Sequence, residues 1–176
     1  MKLTKGIFVL SLLFLFNCQN KNSTPDPDLA SIDFLRGDLA LCGGTDFGEV
    51  EFMLLCNYAT RETFNLAISL LHSFEYEEAE KAFVKVIDED PNCPMAYWGV
   101  LNSIYHTIWF EPSDEVLMKG SKILEIAEKL PKTEREKDYL DAIGAFYKDW
   151  DKVDHKTREK RMELKMEGNY LKYPDD

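Results

Sequence analysis

The chain has 176 residues, enough for one domain, of which 45% are hydrophobic and 30% are charged. Its formal net charge is −11 and its isoelectric point is about 4.8. This charge argues against binding to nucleic acid and against an electrostatic hold on anionic lipid, because both need clustered Lys and Arg.

Residues 1–17 are predicted to be a targeting segment that does not belong to the fold. Lys2 and Lys5 precede an apolar run over 6–16, which is too short to span a bilayer and is typical of a secretory signal peptide. The residues that lead to Cys18 resemble the lipobox of bacterial lipoproteins. That resemblance implies a lipid on Cys18, and an ordinary signal peptide with a later cleavage site is the alternative.

Two irregular segments are predicted next. Residues 18–41 are expected to be a flexible, lipid-anchored tether, since the stretch 19–28 carries Asn, Ser, Pro and Asp and no large apolar side chain. Residues 42–59 are expected to be an irregular N-terminal segment. Polar and apolar residues alternate over 49–52, which suits a short extended piece laid against the first helix pair.

Three cysteines follow Cys18, and an exported protein lies in an oxidising compartment where disulfides form. Cys42 and Cys56 are close in sequence and flank a Gly-containing loop, so a Cys42–Cys56 bridge is the leading prediction. Cys93 would then be free or buried in the turn before the second helix pair. The cysteine spacing contains no CxxC pair and no zinc-ribbon pattern.

The segment 60–92 predicts two amphipathic helices joined by a turn at 75–76. Apolar side chains recur at helical spacing in both, and a proline ends the second helix. The informative positions are Leu66, Ala67, Leu70, Ala79, Phe83 and Pro91. Their spacing resembles the tetratricopeptide repeat, a helix-turn-helix unit of roughly 34 residues. Any helical hairpin with alanines at its contact is the alternative.

Three further motifs extend this resemblance. They are Phe47-Gly48-x-Val50-x-Phe52, a block over 70–79 that begins Leu-Leu-His-Ser-Phe, and Met-Ala-Tyr-Trp-Gly over 95–99. Similar blocks stand in the same order in exported bacterial tetratricopeptide proteins. The resemblance implies a fold more than a defined activity.

A second helix pair is predicted from Pro94 onward. Its second helix covers 113–130 with Ser113 as the N-cap, and Asp114 and Glu115 in the first turn suit the helix dipole. The connecting loop over 107–112 is apolar and longer than the family turn. This loop either packs under the repeats or contacts a partner.

A third pair opens with Thr133 and Glu136, which have capping-box spacing. It ends in a helix over 156–172 with an apolar stripe of Met and Tyr, which indicates that the array continues or that this helix docks elsewhere. Residues 60–176 are therefore predicted to form an all-α domain. It consists of about three tetratricopeptide-like antiparallel helix pairs stacked in a right-handed superhelix.

His72 and His106 are 34 residues apart, one repeat period, and both fall near the end of a first helix. In the tetratricopeptide family the first helices line the concave surface, and the same offset relates two further pairs of residues. The implied groove consists of Phe64, Ile68, His72, Trp98, Asn102 and His106. Such a mixture of aromatic and polar groups suits an extended peptide or a partner helix.

Two histidines in one groove also raise the possibility of a metal or haem site, because imidazole is a common ligand of zinc and copper. The alternative is that His72 and His106 hydrogen-bond nearby carbonyls or acids and order the helix ends. The chain carries no GxSxG, HExxH, P-loop or GxGxxG motif. We therefore expect no enzymatic activity and no cofactor.

The sequence as a whole predicts a membrane-anchored scaffold that binds a partner protein or peptide on its concave face. The lipid on Cys18 would be its only membrane contact, at the bacterial cell envelope and on the outer membrane facing the periplasm. Two alternatives remain open. One is a periplasmic metal- or haem-binding protein using His72 and His106, and the other is a nutrient- or glycan-capturing lipoprotein using Trp98 or Trp109.

Overall fold

The computed structural model describes residues 25–41, 47–48, 50–106 and 110–176, and within these ranges the chain forms α-helices and no β-strand. The helices are α1 (Arg61–His72), α2 (Tyr76–Glu89), α3 (Pro94–Tyr105), α4 (Asp114–Lys129), α5 (Glu134–Tyr147) and α6 (His155–Lys172). Short 3-10 turns cover Pro27–Ser31 and Tyr58–Thr60. The predicted all-α class is confirmed. The signal peptide over 1–17, Cys18, Cys42 and Trp109 lie outside the described residues.

Local capping signals set where the helices begin. The Ser113 hydroxyl accepts a hydrogen bond from the Val116 N–H at 3.4 Å. Thr133 and Glu136 form a reciprocal capping box, in which each side chain accepts from the other residue's backbone N–H. The N-caps predicted at Ser113 and Thr133 are therefore confirmed. None of the described helices is both long and apolar enough to cross a membrane.

Each helix packs against the next one in the chain, and the odd-numbered helices also pack on one another, α1 on α3 and α3 on α5. Close contacts at two glycines fix this stacking. The ring of Phe83 in α2 lies against Gly99 in α3, and the ring of Tyr147 in α5 lies against Gly120 in α4. A methyl group at either glycine would overlap the facing ring, so both contacts depend on the missing side chain.

The N-terminal segment 25–41 packs on the helices, so the prediction of a flexible tether over 18–41 is wrong for its described part. The side chains of Ile32 and Phe34 are buried in the core. The Leu35 N–H donates to Glu80 Oε1 at 3.0 Å, and the Ala40 N–H donates to Glu78 Oε2 at 2.8 Å. Buried carboxylates of α2 thus satisfy backbone N–H groups that an extended segment leaves unpaired.

A disulfide joins Cys56 to Cys93, with their Cα atoms 4.9 Å apart. The predicted Cys42–Cys56 bridge is therefore wrong. Cys56 precedes the turn that leads into α1, and Cys93 is the residue before α3. Because α1 packs on α3, these cysteines meet in space although 37 residues separate them.

Candidate functional site

An extended segment over residues 50–57, which we call the strap, crosses the face formed by the odd-numbered helices. The ring of Phe52 contacts one aromatic residue from each of them. Its centroid lies 5.8 Å from that of Phe64 in α1, 6.4 Å from that of Trp98 in α3 and 6.0 Å from that of Tyr139 in α5. The strap therefore occupies much of the face to which the sequence assigned a binding groove.

Side chains of the helical units hold the strap along its length. The Leu55 N–H donates to Glu136 Oε1 at 3.2 Å, and the Asn57 N–H donates to an oxygen of Asp90 at 2.7 Å. Arg135 donates to the Met53 carbonyl at 3.1 Å, and its guanidinium carbon lies 4.4 Å from the centroid of the Phe52 ring. The strap is thus held as an extended peptide ligand would be, by hydrogen bonds to its backbone and by contacts to one aromatic side chain.

The six residues predicted to line one groove do not share a continuous surface. Phe64 and Ile68 are buried, and Phe64 contacts Phe52 of the strap and Phe83 of α2. Phe64 therefore lies on the side of α1 that faces the strap. The strap then covers that part of the face, so it is not open to a ligand.

The two histidines lie apart from the rest of the predicted groove. His72 is exposed at the end of α1, whereas His106 is half-buried and lies against Tyr76, with ring centroids 4.9 Å apart. His106 adopts a left-handed backbone conformation with φ of 48°, which turns the chain out of α3. In the part of the chain that the structure describes, no group of three or more His, Cys, Asp or Glu residues is placed to hold a metal ion.

Trp98 and Asn102 line an open cavity of about 340 Å³ between α3, α5 and α6, which we call the aromatic groove. Five aromatic side chains contribute to its wall: Trp98, Tyr105, Tyr139, Tyr170 and Tyr173. Met162 and Met166 of α6 add flexible apolar surface. A volume near the lower end of the usual range for ligand pockets suits one or two side chains of a larger partner.

Hydrogen bonds orient several polar groups of the aromatic groove. Asn102 Nδ2 donates to the Trp98 carbonyl at 2.8 Å, and Asn169 Nδ2 donates to the Asp138 carbonyl at 3.1 Å. One oxygen of Asp176, Oδ2, accepts from Arg135 Nε at 2.6 Å and from the Tyr139 hydroxyl at 2.9 Å. The groove is therefore lined by aromatic rings and by a few oriented polar groups.

Burial and hydrogen bonding set the protonation states of Asp176, Tyr139 and Tyr105 in the aromatic groove. The hydrogen bond from Arg135 holds the pKa of the Asp176 carboxyl below its usual value. Burial, and then the hydrogen bond to Asp176, raise the pKa of Tyr139 to about 12. Burial raises the pKa of Tyr105 to about 12 as well. At neutral pH, Asp176 is therefore ionised and both tyrosines are neutral.

Part of the aromatic groove was present as a signal in the sequence. The apolar stripe on the last helix consists of Met162, Met166, Tyr170 and Tyr173, and all four line the groove. Phe52 belongs to the alternating stretch over 49–52, which predicted an extended piece against the first helix pair, whereas Arg135, Asn169 and Asp176 carry no comparable signal. Their roles depend on where the strap and the last four residues cross the helices.

Comparison with known proteins adds no relative from which a function could be carried over. No family model, curated protein or solved structure matches this chain. The tetratricopeptide resemblance therefore stays a prediction. What can be inferred about function depends on the geometry of the strap and the aromatic groove.

Proposed function

We propose that this protein is a binding module that takes an extended segment of a partner protein in the aromatic groove. One observation carries the proposal. Trp98 and Tyr139 contact Phe52 of the strap and also line the groove. The surface that already holds one extended segment of the chain thus continues, unfilled, toward α6.

The exposed residues of α6 favour the same role. Met166 and Tyr170 line the groove and are 54% and 72% exposed. Large apolar side chains that cluster around a concave site and remain exposed typically mark an interaction surface. A partner that covered them would remove this apolar area from water, which is the main favourable contribution to association.

We further propose that the helix pairs form a tetratricopeptide-like right-handed superhelix with the odd-numbered helices on its inner side. Contacts of α1 with α3 and of α3 with α5 support this arrangement. The packing of Phe83 on Gly99 supports it too, because a small residue at that point lets successive units approach closely.

The location that we propose is the bacterial cell envelope, with a lipid anchor on Cys18 and the domain in the periplasm. The Cys56–Cys93 disulfide supports export, since structural disulfides are typical of oxidising compartments. Mass spectrometry of the membrane fraction tests the anchor. A mature chain that begins at an acylated Cys18 is the expected result, and a soluble chain cleaved later would contradict it.

Selection of peptides from a random display library tests the binding role, with affinity then measured by calorimetry. Tyr170→Ala is the informative variant, because this side chain lines the groove and is 72% exposed. Tyr58→Ala is its matched control, since Tyr58 is 79% exposed and does not line the groove. We expect Tyr170→Ala to weaken binding about tenfold and Tyr58→Ala to leave it unchanged.

Two results would overturn the proposed function. One is a selection that yields no binding peptide. The other is a set of peptides whose affinity does not change in Tyr170→Ala. Saturable binding of a soluble oligosaccharide in the groove would instead support the glycan alternative, and stoichiometric metal lost in His72→Ala/His106→Ala would support the metal alternative.

A further inference from the structure

We infer that the side chain taken by the aromatic groove is positively charged, so that the partner presents a Lys or Arg there. This inference rests on the proposed function and adds the chemistry of its ligand. It follows from three features of the groove: the rings, the oriented acceptor oxygens, and the sign of the charge among the lining residues.

The rings suit a cation because the faces of Trp and Tyr rings carry partial negative charge. The neighbouring part of the same face already holds a cation against aromatic rings. The guanidinium carbon of Arg135 lies 4.4 Å from the centroid of the Phe52 ring and 5.4 Å from that of Tyr139. A second cation in the groove would meet Trp98 and Tyr170, which contact no cation among the described residues.

The lining residues offer several acceptor atoms that receive no hydrogen bond from the described residues. The amide nitrogens of Asn102 and Asn169 each donate to a backbone carbonyl, which orients the amides, and neither amide oxygen accepts a hydrogen bond from the described residues. The Asp176 carboxylate accepts two hydrogen bonds, from Arg135 and Tyr139, and both go to Oδ2. Its Oδ1 accepts none from the described residues. A guanidinium or ammonium group donates several hydrogen bonds and accepts none, so it complements this set.

Charge among the lining residues has one sign. Asp176 is the one charged residue among the described residues that line the groove. An acidic ligand would therefore meet a carboxylate and no lining Lys or Arg. Arg135 and Lys172 lie next to lining residues, but Arg135 is paired with Asp176, and Lys172 with Glu134 and Asp138. The chain as a whole has a net charge of −11, which favours the approach of a cationic segment.

Binding of N-acetyl-arginine amide and N-acetyl-citrulline amide to the purified protein tests this inference. The two probes have nearly the same shape, and only the first is charged. The indole N–H signal of Trp98 in a ¹⁵N-labelled sample reports on the groove and is assigned from Trp98→Phe. We expect the arginine probe to shift this signal in a saturable way and the citrulline probe to bind about tenfold more weakly.

Tyr170→Ala should weaken binding of the arginine probe, and the matched variant Tyr58→Ala should leave it unchanged. An equal response to both probes, or a response to neither, would overturn the inference. The proposed function is judged separately by the selected peptides. Some selected peptides could keep their affinity for the groove when each Lys and Arg is replaced by a neutral analogue. That result would support the proposed function and contradict the inference that the bound side chain is positively charged.

Discussion

The ring of Tyr147 rests on the backbone of Gly120, and its hydroxyl donates to the Leu101 carbonyl at 2.9 Å. One buried side chain of α5 thus fixes the positions of both α3 and α4. The phenol cannot move away without giving up that hydrogen bond, and leaving its hydroxyl unpaired in the core would be costly.

Gly120→Ala should destabilise the fold. The added methyl group would overlap the Tyr147 ring, and overpacking of a core costs about 1–3 kcal/mol, more than the gain of roughly 1 kcal/mol in helix propensity. Urea denaturation should show a lower free energy of unfolding. Gly168→Ala in α6 is the control, since an added methyl group there meets nothing within 4 Å. An equal effect of the two substitutions would contradict the close packing at Gly120.

Loss of the Cys56–Cys93 disulfide should lower stability by about 4 kcal/mol, because the bridge closes a loop of 37 residues in the unfolded chain. The double variant Cys56→Ser/Cys93→Ser should therefore show a clearly lower melting temperature than the wild type. Non-reducing peptide mapping checks the pairing directly. Recovery of a peptide that links Cys42 to Cys56 would refute it.

Glu136→Ala should destabilise the protein by about 2–3 kcal/mol. Its carboxylate is buried and accepts from the Thr133 N–H, the Thr133 hydroxyl and the Leu55 N–H, so its removal takes away the acceptor of three donors. Glu134→Ala is the matched control two residues earlier, where the side chain is 79% exposed and pairs with Lys172 at the surface. We expect that change to stay within about 0.5 kcal/mol. Similar losses in both variants would show that Glu136 acts only as a surface charge.

The contribution of Asp176 should depend on pH. Its pKa lies below the ordinary value of 3.8 in the folded protein, chiefly because of the hydrogen bond from Arg135. A carboxyl with a lowered folded pKa stabilises the fold above its unfolded pKa, and this stabilisation fades as the pH falls through the folded value. The wild type should therefore exceed Asp176→Asn in free energy of unfolding at neutral pH and approach it as the pH falls through the lowered folded pKa.

Asp175→Asn serves as the control for that experiment, because Asp175 is exposed and makes no hydrogen bond or ion pair with the described residues. Its difference from the wild type should be small across the same range. A difference between the wild type and Asp176→Asn that stays constant from neutral to acid pH would show that Asp176 acts through packing and not through its charge.

Elements set by local chemistry were predictable from the sequence. The periodicity of apolar residues located the helices, and the hydroxyl groups of Ser113 and Thr133 marked two of their starts. Glu136 shows the limit of such patterns. Its capping-box spacing predicted the bond to Thr133, whereas nothing near it in sequence indicates that its other oxygen accepts from Leu55, 81 residues away.

The binding site was predictable only in part for the same reason. A repeat offset of 34 residues paired Phe64 with Trp98 as positions on one face, and both rings contact Phe52 of the strap. It could not show that Phe64 would be fully buried, whereas Trp98, although also in contact with Phe52, would still line the aromatic groove. The predicted disulfide was wrong because nearness in sequence favoured Cys42 as the partner of Cys56. In the fold, the stacking of α1 on α3 brings Cys93 next to Cys56 instead.

The strap changes how this array holds together. In a simple repeat array each unit touches only its neighbours, so unfolding can start at one end and spread stepwise. Here one short segment contacts all three helix pairs, through Phe64, Trp98 and Tyr139, and is bonded covalently beside α3. The outermost pair cannot fray without releasing a segment that the first pair also needs. The strap thus raises the contact order of an otherwise local fold and makes the three pairs one cooperative unit.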